Sequence, residues 1–232
     1  MDTLETEIAR AAQLIKNADG LFITAGAGMG VDSGLPDFRG PQGFWGVYPA
    51  LGRAKIQFEE IACPQAFIEH PELAWGFYGH RLNMYRETKP GKSFDLLLDL
   101  AESMPYGTFV LTSNVDGHFQ RAGFSANSVC EVHGSIHYLQ CMNRCSDAIW
   151  TAIGFYPEVD VESGRISSDM PHCPHCGALA RPNILMFSDR SWQNSKQHAQ
   201  MNAMQTSQNR EKHPVVIEMP TLVRITLSVW TG

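Results

Sequence analysis

The chain has 232 residues, 44% hydrophobic and 18% charged, with 12 Phe, 10 Met and 5 Trp, a composition that excludes disordered, collagen-like and coiled-coil chains and suffices for one large domain with or without an insert. A formal net charge of −6 leaves it without the positive field that non-specific nucleic-acid binding relies on, so no direct nucleic-acid partner is expected. The acidic start Met1-Asp2-Thr3-Leu4-Glu5-Thr6-Glu7 lacks the basic region of a signal peptide, and no apolar run nears the roughly 18 residues that cross a bilayer, so a cytoplasmic protein without a membrane partner is expected.

Asp2 and Glu5 form a capping box for a first helix, whose Leu4, Ile8, Ala11, Leu14 and Ile15 share one apolar face and which ends between Asn17 and Gly20. Leu21 to Ala25 follows as a short buried strand that runs into Gly26-Ala27-Gly28-Met29-Gly30. Residues 63–87 read as a helix with an aromatic-rich face of Phe67, Phe77, Tyr78, Leu82 and Tyr85, and residues 94–103 as another that ends before Pro105. Thr108 to Thr112 and Val215 to Met219 are further buried strands, and Val129 to Val132 a weaker one. Between Cys141 and Cys176 periodicity fades while Gly, Ser and Pro rise, which marks a small inserted module. Residues 193–213, rich in Gln, Asn, Ser and Met, form either a weak helix or a mobile linker. Residues 225–230 are either a final sheet strand or an exposed, aggregation-prone edge.

Six cysteines are too sparse for a disulfide scaffold, and four of them fall in two close pairs, Cys141-x3-Cys145 and Cys173-x2-Cys176, with 27 residues between the pairs. Two thiolate pairs on separate turns close a tetrahedral Zn²⁺ site with no open position, so one structural zinc per chain in a reducing compartment is expected. Pro174 and Gly177 suit the tight turn this needs. His172 and His175 are not required, and Cys63 and Cys130 read as small buried hydrophobes.

Helix, strand and glycine loop in that order resemble the opening of a nucleotide-binding α/β sheet. Gly26-Ala27-Gly28 lets a phosphate approach free backbone N–H groups, although such a loop read alone is more often a plain turn. Beyond it, Ser33-Gly34-Leu35-Pro36-Asp37-Phe38-Arg39-Gly40 sets an acid, an aromatic ring and a guanidinium in one stiff loop. Together with Thr112-Ser113-Asn114-Val115-Asp116, Ala122-Gly123 and Glu131-Val132-His133-Gly134, these motifs resemble the sirtuins, the NAD-dependent protein-lysine deacylases, in order from about Leu4 to Phe187.

The resemblance implies an α/β fold: a Rossmann-like parallel sheet from residues 1–40, 91–136 and 187–232, a helical insert with the cofactor loop at 41–90, and a zinc-binding module at 137–186. It implies that Gly26, Ala27 and Gly28 hold the NAD phosphates, that Phe38 and Arg39 lie in the cofactor loop, that Asp37 and Asn114 line the nicotinamide pocket with Asp116 beside them, and that Ser113 stands where the family's longer amide reaches a nicotinamide-ribose hydroxyl. It makes His133 the general base, a role an imidazole can fill at neutral pH. The implied reaction joins the acyl-lysine carbonyl oxygen to C1′ of the ribose with loss of nicotinamide, and yields free lysine and O-acyl-ADP-ribose. An NAD-dependent ADP-ribosyltransferase, an NAD hydrolase and a non-catalytic binder of NAD or acyl-peptide are the rival classes.

Tyr78 and Arg81, at i and i+3 of the aromatic helix, share a face. Read alone they are a core aromatic beside a solvated charge. As Tyr-x-x-Arg they resemble the sirtuin subgroup that removes succinyl, malonyl or glutaryl groups, with Trp75, Phe77 and Tyr85 implied as an apolar channel for the lysine stem. The chain departs from the family at Gly30, where Ser is usual, at Ser113, where Gln is usual, and at Ser188-Asp189, where Gly-Glu is usual. No Gly-Thr-Ser turn follows Val215 to Met219, which implies a divergent or truncated end and weak binding of the adenosine half of NAD.

Overall fold

A computed structural model describes residues 2–36, 40–219 and 226–229, apart from the side chains of residues 2, 3, 40–42 and 226–229. The N-terminal elements are α1 (Asp2–Asn17), β1 (Gly20–Ala25), α2 (Gly28–Asp32), α3 (Gly40–Val47), α4 (Pro49–Arg53), α5 (Phe58–Ile61), α6 (Pro64–Glu69), α7 (Pro71–Glu87) and α8 (Lys92–Glu102). After them come β2 (Thr108–Thr112), α9 (His118–Ala122), β3 (Val129–Glu131), β4 (Gly134–Cys141), β5 (Ile149–Thr151), β6 (Val159–Asp160) and β7 (Arg165–Ile166). The chain continues through β8 (Ala180–Ile184), α10 (Ser195–Gln208), β9 (Pro214–Met219) and β10 (Thr226–Val229).

The four runs expected to be buried strands are β1, β2, β3 and β9. They lie parallel in a sheet of order β10-β9-β1-β2-β3, and the β-prone run after residue 225 is its antiparallel edge strand. A parallel sheet needs cover on both faces. Leu21, Ile23, Val110, Val129, Val215 and Ile217 pack on one side against Phe94 and Leu97 of α8, Phe119 of α9, and Leu14 and Ile15 of α1. Phe22, Phe109, Cys130 and Val216, the alternate positions, pack on the other side against Met201 and Met204 of α10. The polar segment after residue 193 is therefore a helix. Its flexible methionines cover a face of the sheet that its weak amphipathic pattern does not reveal.

Three expectations about helices change. Leu4 and Ile8 are 69% and 59% exposed, because only the last turns of α1 reach the sheet; the side chain of Asp2, its expected cap, lies outside the described residues. The helix expected over residues 63–87 is two helices, broken at His70 (φ −139°), because the residue before a proline is pushed out of helical conformation and Pro71 then starts α7. The helix expected at 94–103 begins earlier, at Lys92.

A second, aromatic core joins α3–α7 to the three-stranded sheet β5-β4-β8 and the β6–β7 hairpin, with Phe44, Tyr48, Phe67, Trp75 and Phe77 against Ile136, Leu139, Ile166 and Ile184. Trp75 Nε1 donates to the Ala180 carbonyl at 3.0 Å, and Arg86 donates to the carbonyls of Phe155 (2.6 Å) and Ala152 (2.8 Å). At Gly76 the approach is so close that a Cβ would sit 2.0 Å from the Gly164 carbonyl oxygen, so only glycine lets the hairpin dock on α7. The fold is thus α/β, with a Rossmann-like parallel sheet and a smaller cysteine-bearing module.

Candidate functional site

From β1 the chain passes to β2 and β3 on one side and returns as β9 on the other, which opens a crevice beyond the carboxyl ends of the strands. The loops leaving β1, β2 and β3 enter that crevice. The Thr112 hydroxyl donates to the Ala25 carbonyl (3.1 Å) and accepts from the Asn114 N–H (3.1 Å), and Asn114 Nδ2 donates to the Gly26 carbonyl (2.9 Å). The glycine loop is thereby tied to the end of β2, and the Gly26 N–H also reaches the Met219 carbonyl at 3.2 Å.

A cavity of about 800 Å³ lies there, and Ala27, Tyr78, Arg81, Ser113, Asn114, Asp116 and His133 all line it. Seven residues singled out in sequence, from four separate segments, thus meet around one space. Gly26 and Gly28 flank it at the start of α2, while Asp37, Phe38 and Arg39 lie outside the described residues. Trp75 and Phe77, expected as an apolar channel, are instead buried in the aromatic core on different faces of α7, Trp75 under Phe155 and the Ala180 carbonyl of the docked module and Phe77 against Phe44, Tyr48 and Phe58. The apolar lining comes from Phe44, Phe58, Tyr85, Ile184, Met186 and Phe187.

His133 is exposed to the cavity, and its Nδ1 lies 3.2 Å from the Ser113 carbonyl. A carbonyl only accepts, so Nδ1 carries the proton and Nε2 keeps the lone pair of a base. Towards His133, Ser113 presents its main-chain carbonyl, which any residue at that position supplies. Gly134 (φ +78°) turns the chain directly after His133, and a Cβ there would lie 2.1 Å from the Asn183 carbonyl oxygen. The His133 carbonyl accepts from the Leu185 N–H at 2.9 Å, which seats the cavity-lining segment after β8 against it. Asp116 is 6% exposed, and its Oδ1 accepts from the His118 N–H at 2.9 Å. Burial pushes its carboxyl above the usual range, while His118 pulls the other way.

Two supports of the site escaped the sequence reading. Glu131, two residues before His133, is bound by Lys196 of α10 at 2.5 Å, and its N–H donates to Gln200 at 3.1 Å. Arg181 and Asp189 form a fully buried pair at 2.7 Å beneath the lining segment, and Asp189 also accepts from the Ser191 N–H and hydroxyl. Asp189 follows Ser188, whose φ of +54° is a left-handed conformation that glycine adopts without strain. Asp189→Asn removes one charge of this pair and leaves a buried guanidinium uncompensated. It should cost about 3–5 kcal/mol, read as a lowered denaturation midpoint.

Apart from the cavity, the four expected cysteines converge. Their Sγ atoms lie within 4.8 Å of one another, with Cys141–Cys176 at 3.6 Å and Cys145–Cys173 at 3.5 Å, close to the roughly 3.8 Å of thiolates around tetrahedral zinc. Of the other two cysteines, Cys130 is buried and Cys63 only partly so.

The Sir2 family model matches residues 26–211. An NAD-dependent protein deacylase of Thermococcus kodakarensis is 34% identical over 187 residues, which cover 78% of this chain and only 65% of that relative's own length. Among solved structures, a mutant Sir2 homologue in complex with ADP-ribose superposes with a TM-score of 0.65 at 25% identity, over 93% of this chain and 76% of that one. A Sir2 homologue in complex with NAD superposes with a TM-score of 0.64 at 26% identity, over 90% and 71% of the two chains.

Proposed function

The chain belongs to the Sir2 family, and from that premise we propose that it is an NAD-dependent protein-lysine deacylase that takes acyl-lysine proteins or peptides and releases nicotinamide and O-acyl-ADP-ribose. The observation that carries this reading is the joining of His133, in its basic tautomer, with Ala27, Ser113, Asn114 and Asp116 around one cavity large enough for the nicotinamide-ribose end of NAD and an acyl-lysine side chain. NAD supplies an electrophilic ribose carbon with nicotinamide as its leaving group. His133 Nε2 takes the proton from a ribose hydroxyl, and the Nδ1–H bond to Ser113 keeps the ring in that tautomer. The glycine loop receives phosphate, Asn114 and Asp116 line the nicotinamide end, and the apolar wall excludes water. Cys141, Cys145, Cys173 and Cys176 would hold one zinc ion, and four thiolates would fill its shell and give it a structural rather than a catalytic part.

The test is nicotinamide release from NAD with and without an acyl-lysine peptide. Release that requires the peptide supports a deacylase. Release without it overturns this reading in favour of an ADP-ribosyltransferase or NAD hydrolase, and NAD binding without release in favour of a binder.

For the acyl group, Tyr78 and Arg81 both line the cavity, a phenol and a guanidinium beside apolar walls, as acyl chains that end in a carboxylate require. Succinyl-lysine and related acidic acyl-lysines are therefore the proposed preferred substrates. Arg81→Met should shift the ratio of succinyl to acetyl kcat/KM by about tenfold or more towards acetyl, as loss of a charge-assisted hydrogen bond implies. Side-by-side rates on the two peptides check it.

A further inference from the structure

On α7, Tyr78, Arg81 and Tyr85 stand at i, i+3 and i+7, and all three line the cavity. Arg81 Nε donates to the Tyr85 phenol oxygen at 3.0 Å, and Nη2 donates to the same oxygen. Two donors on one edge of the guanidinium fork thus converge on a single acceptor, which fixes the rotation of the plane. The guanidinium carbon also lies 5.3 Å from the Phe77 ring centroid and 5.4 Å from that of Tyr85. Tyr85 is itself held: it is 4% exposed, and its backbone carbonyl accepts from Arg121 Nη1 and from His118 Nε2 at 3.3 Å. Burial raises the Tyr85 phenol above its usual range, so it remains a neutral acceptor at physiological pH.

We propose that Tyr85 is a positioning residue for substrate choice, its phenol oxygen orienting Arg81 so that the cavity favours acyl chains ending in a carboxylate. This rests on the acidic-acyl reading of Tyr78 and Arg81. A guanidinium already fixed in plane loses little rotational freedom when a carboxylate binds, whereas one on an unanchored three-methylene arm loses much of it. Tyr85→Phe keeps the ring against Arg81 and deletes only the oxygen, so it isolates the orienting contact from packing.

The experiment measures calorimetric Kd values for a succinyl-lysine and an acetyl-lysine peptide of one sequence, on the full chain as wild type, Tyr85→Phe and Arg81→Met, with thermal melts of each. Tyr85→Phe should reduce the succinyl-to-acetyl affinity ratio by about tenfold through weaker succinyl binding, at a near-wild-type melting temperature. Affinities for both peptides that fall together with the melting temperature would make Tyr85 structural and overturn the proposal. A ratio within about twofold of wild type in Tyr85→Phe, with the ratio lost in Arg81→Met, would overturn the role of Tyr85 and leave the acidic-acyl reading standing. A wild-type ratio in Arg81→Met would overturn both.

Discussion

Replacing His133 with alanine should lower deacylation of an acyl-lysine peptide by about 10²–10⁴-fold, the usual contribution of a positioned general base. The size of the effect follows from geometry. With Nδ1–H committed to the Ser113 carbonyl, Nε2 is the ring's basic atom, and it belongs to a side chain exposed to the cavity rather than packed in a core. The same exposure means that alanine leaves only a small void, so the melting temperature and the zinc content should stay at wild-type values. Gly134, Glu131 with Lys196, and the Leu185 N–H on the His133 carbonyl hold the backbone here independently of the imidazole. Single-turnover product analysis beside a thermal melt checks the prediction. Wild-type turnover in the mutant would make His133 a structural residue.

Freshly purified protein should carry about one zinc per chain, and Cys141→Ala or Cys173→Ala should abolish both the ion and the folded structure around it. Structural zinc in small modules contributes roughly 10–16 kcal/mol, more than most domains hold in reserve. Cys141 closes β4 and Cys173 is 3% exposed, so these two thiols are part of the packing as well as proposed ligands. The loss should not stay local. Asn83 and Arg86 of α7 bind the carbonyls of Pro157, Phe155 and Ala152, and Trp75 binds that of Ala180, so a loosened module unseats the helix that carries Tyr78, Arg81 and Tyr85. Elemental analysis with hydrogen exchange across α7, before and after chelation, measures both effects. Protein free of zinc with unaltered exchange would refute the assignment.

What the amino-acid sequence settled unaided is whatever is carried by neighbours along the chain. The four parallel strands are legible because a buried strand is a short apolar run bounded by turn residues. The cysteine pairs are legible because a metal knuckle sets its own spacing, and the sirtuin motifs because each places its polar groups within a few residues. Even the break at His70 was open to reading, since the proline that causes it is adjacent.

What only the tertiary structure decided is whatever needs a partner far off in sequence. Lys196 meets Glu131 across 65 positions, and Trp75 meets Ala180 across 105. No local pattern announces either pair. For the same reason Trp75 and Phe77 looked like a substrate channel: a helix face shows that it is apolar, not which body will cover it. Ser113 drew attention by its side chain, whereas the group that reaches His133 is its carbonyl, which every residue owns. The contact between Tyr85 and Arg81 lies between these cases. The i+4 spacing was visible, but only enclosure of a buried phenol and a partly buried guanidinium beside one cavity turns them into an oriented pair, because in water each would bond to solvent at little cost.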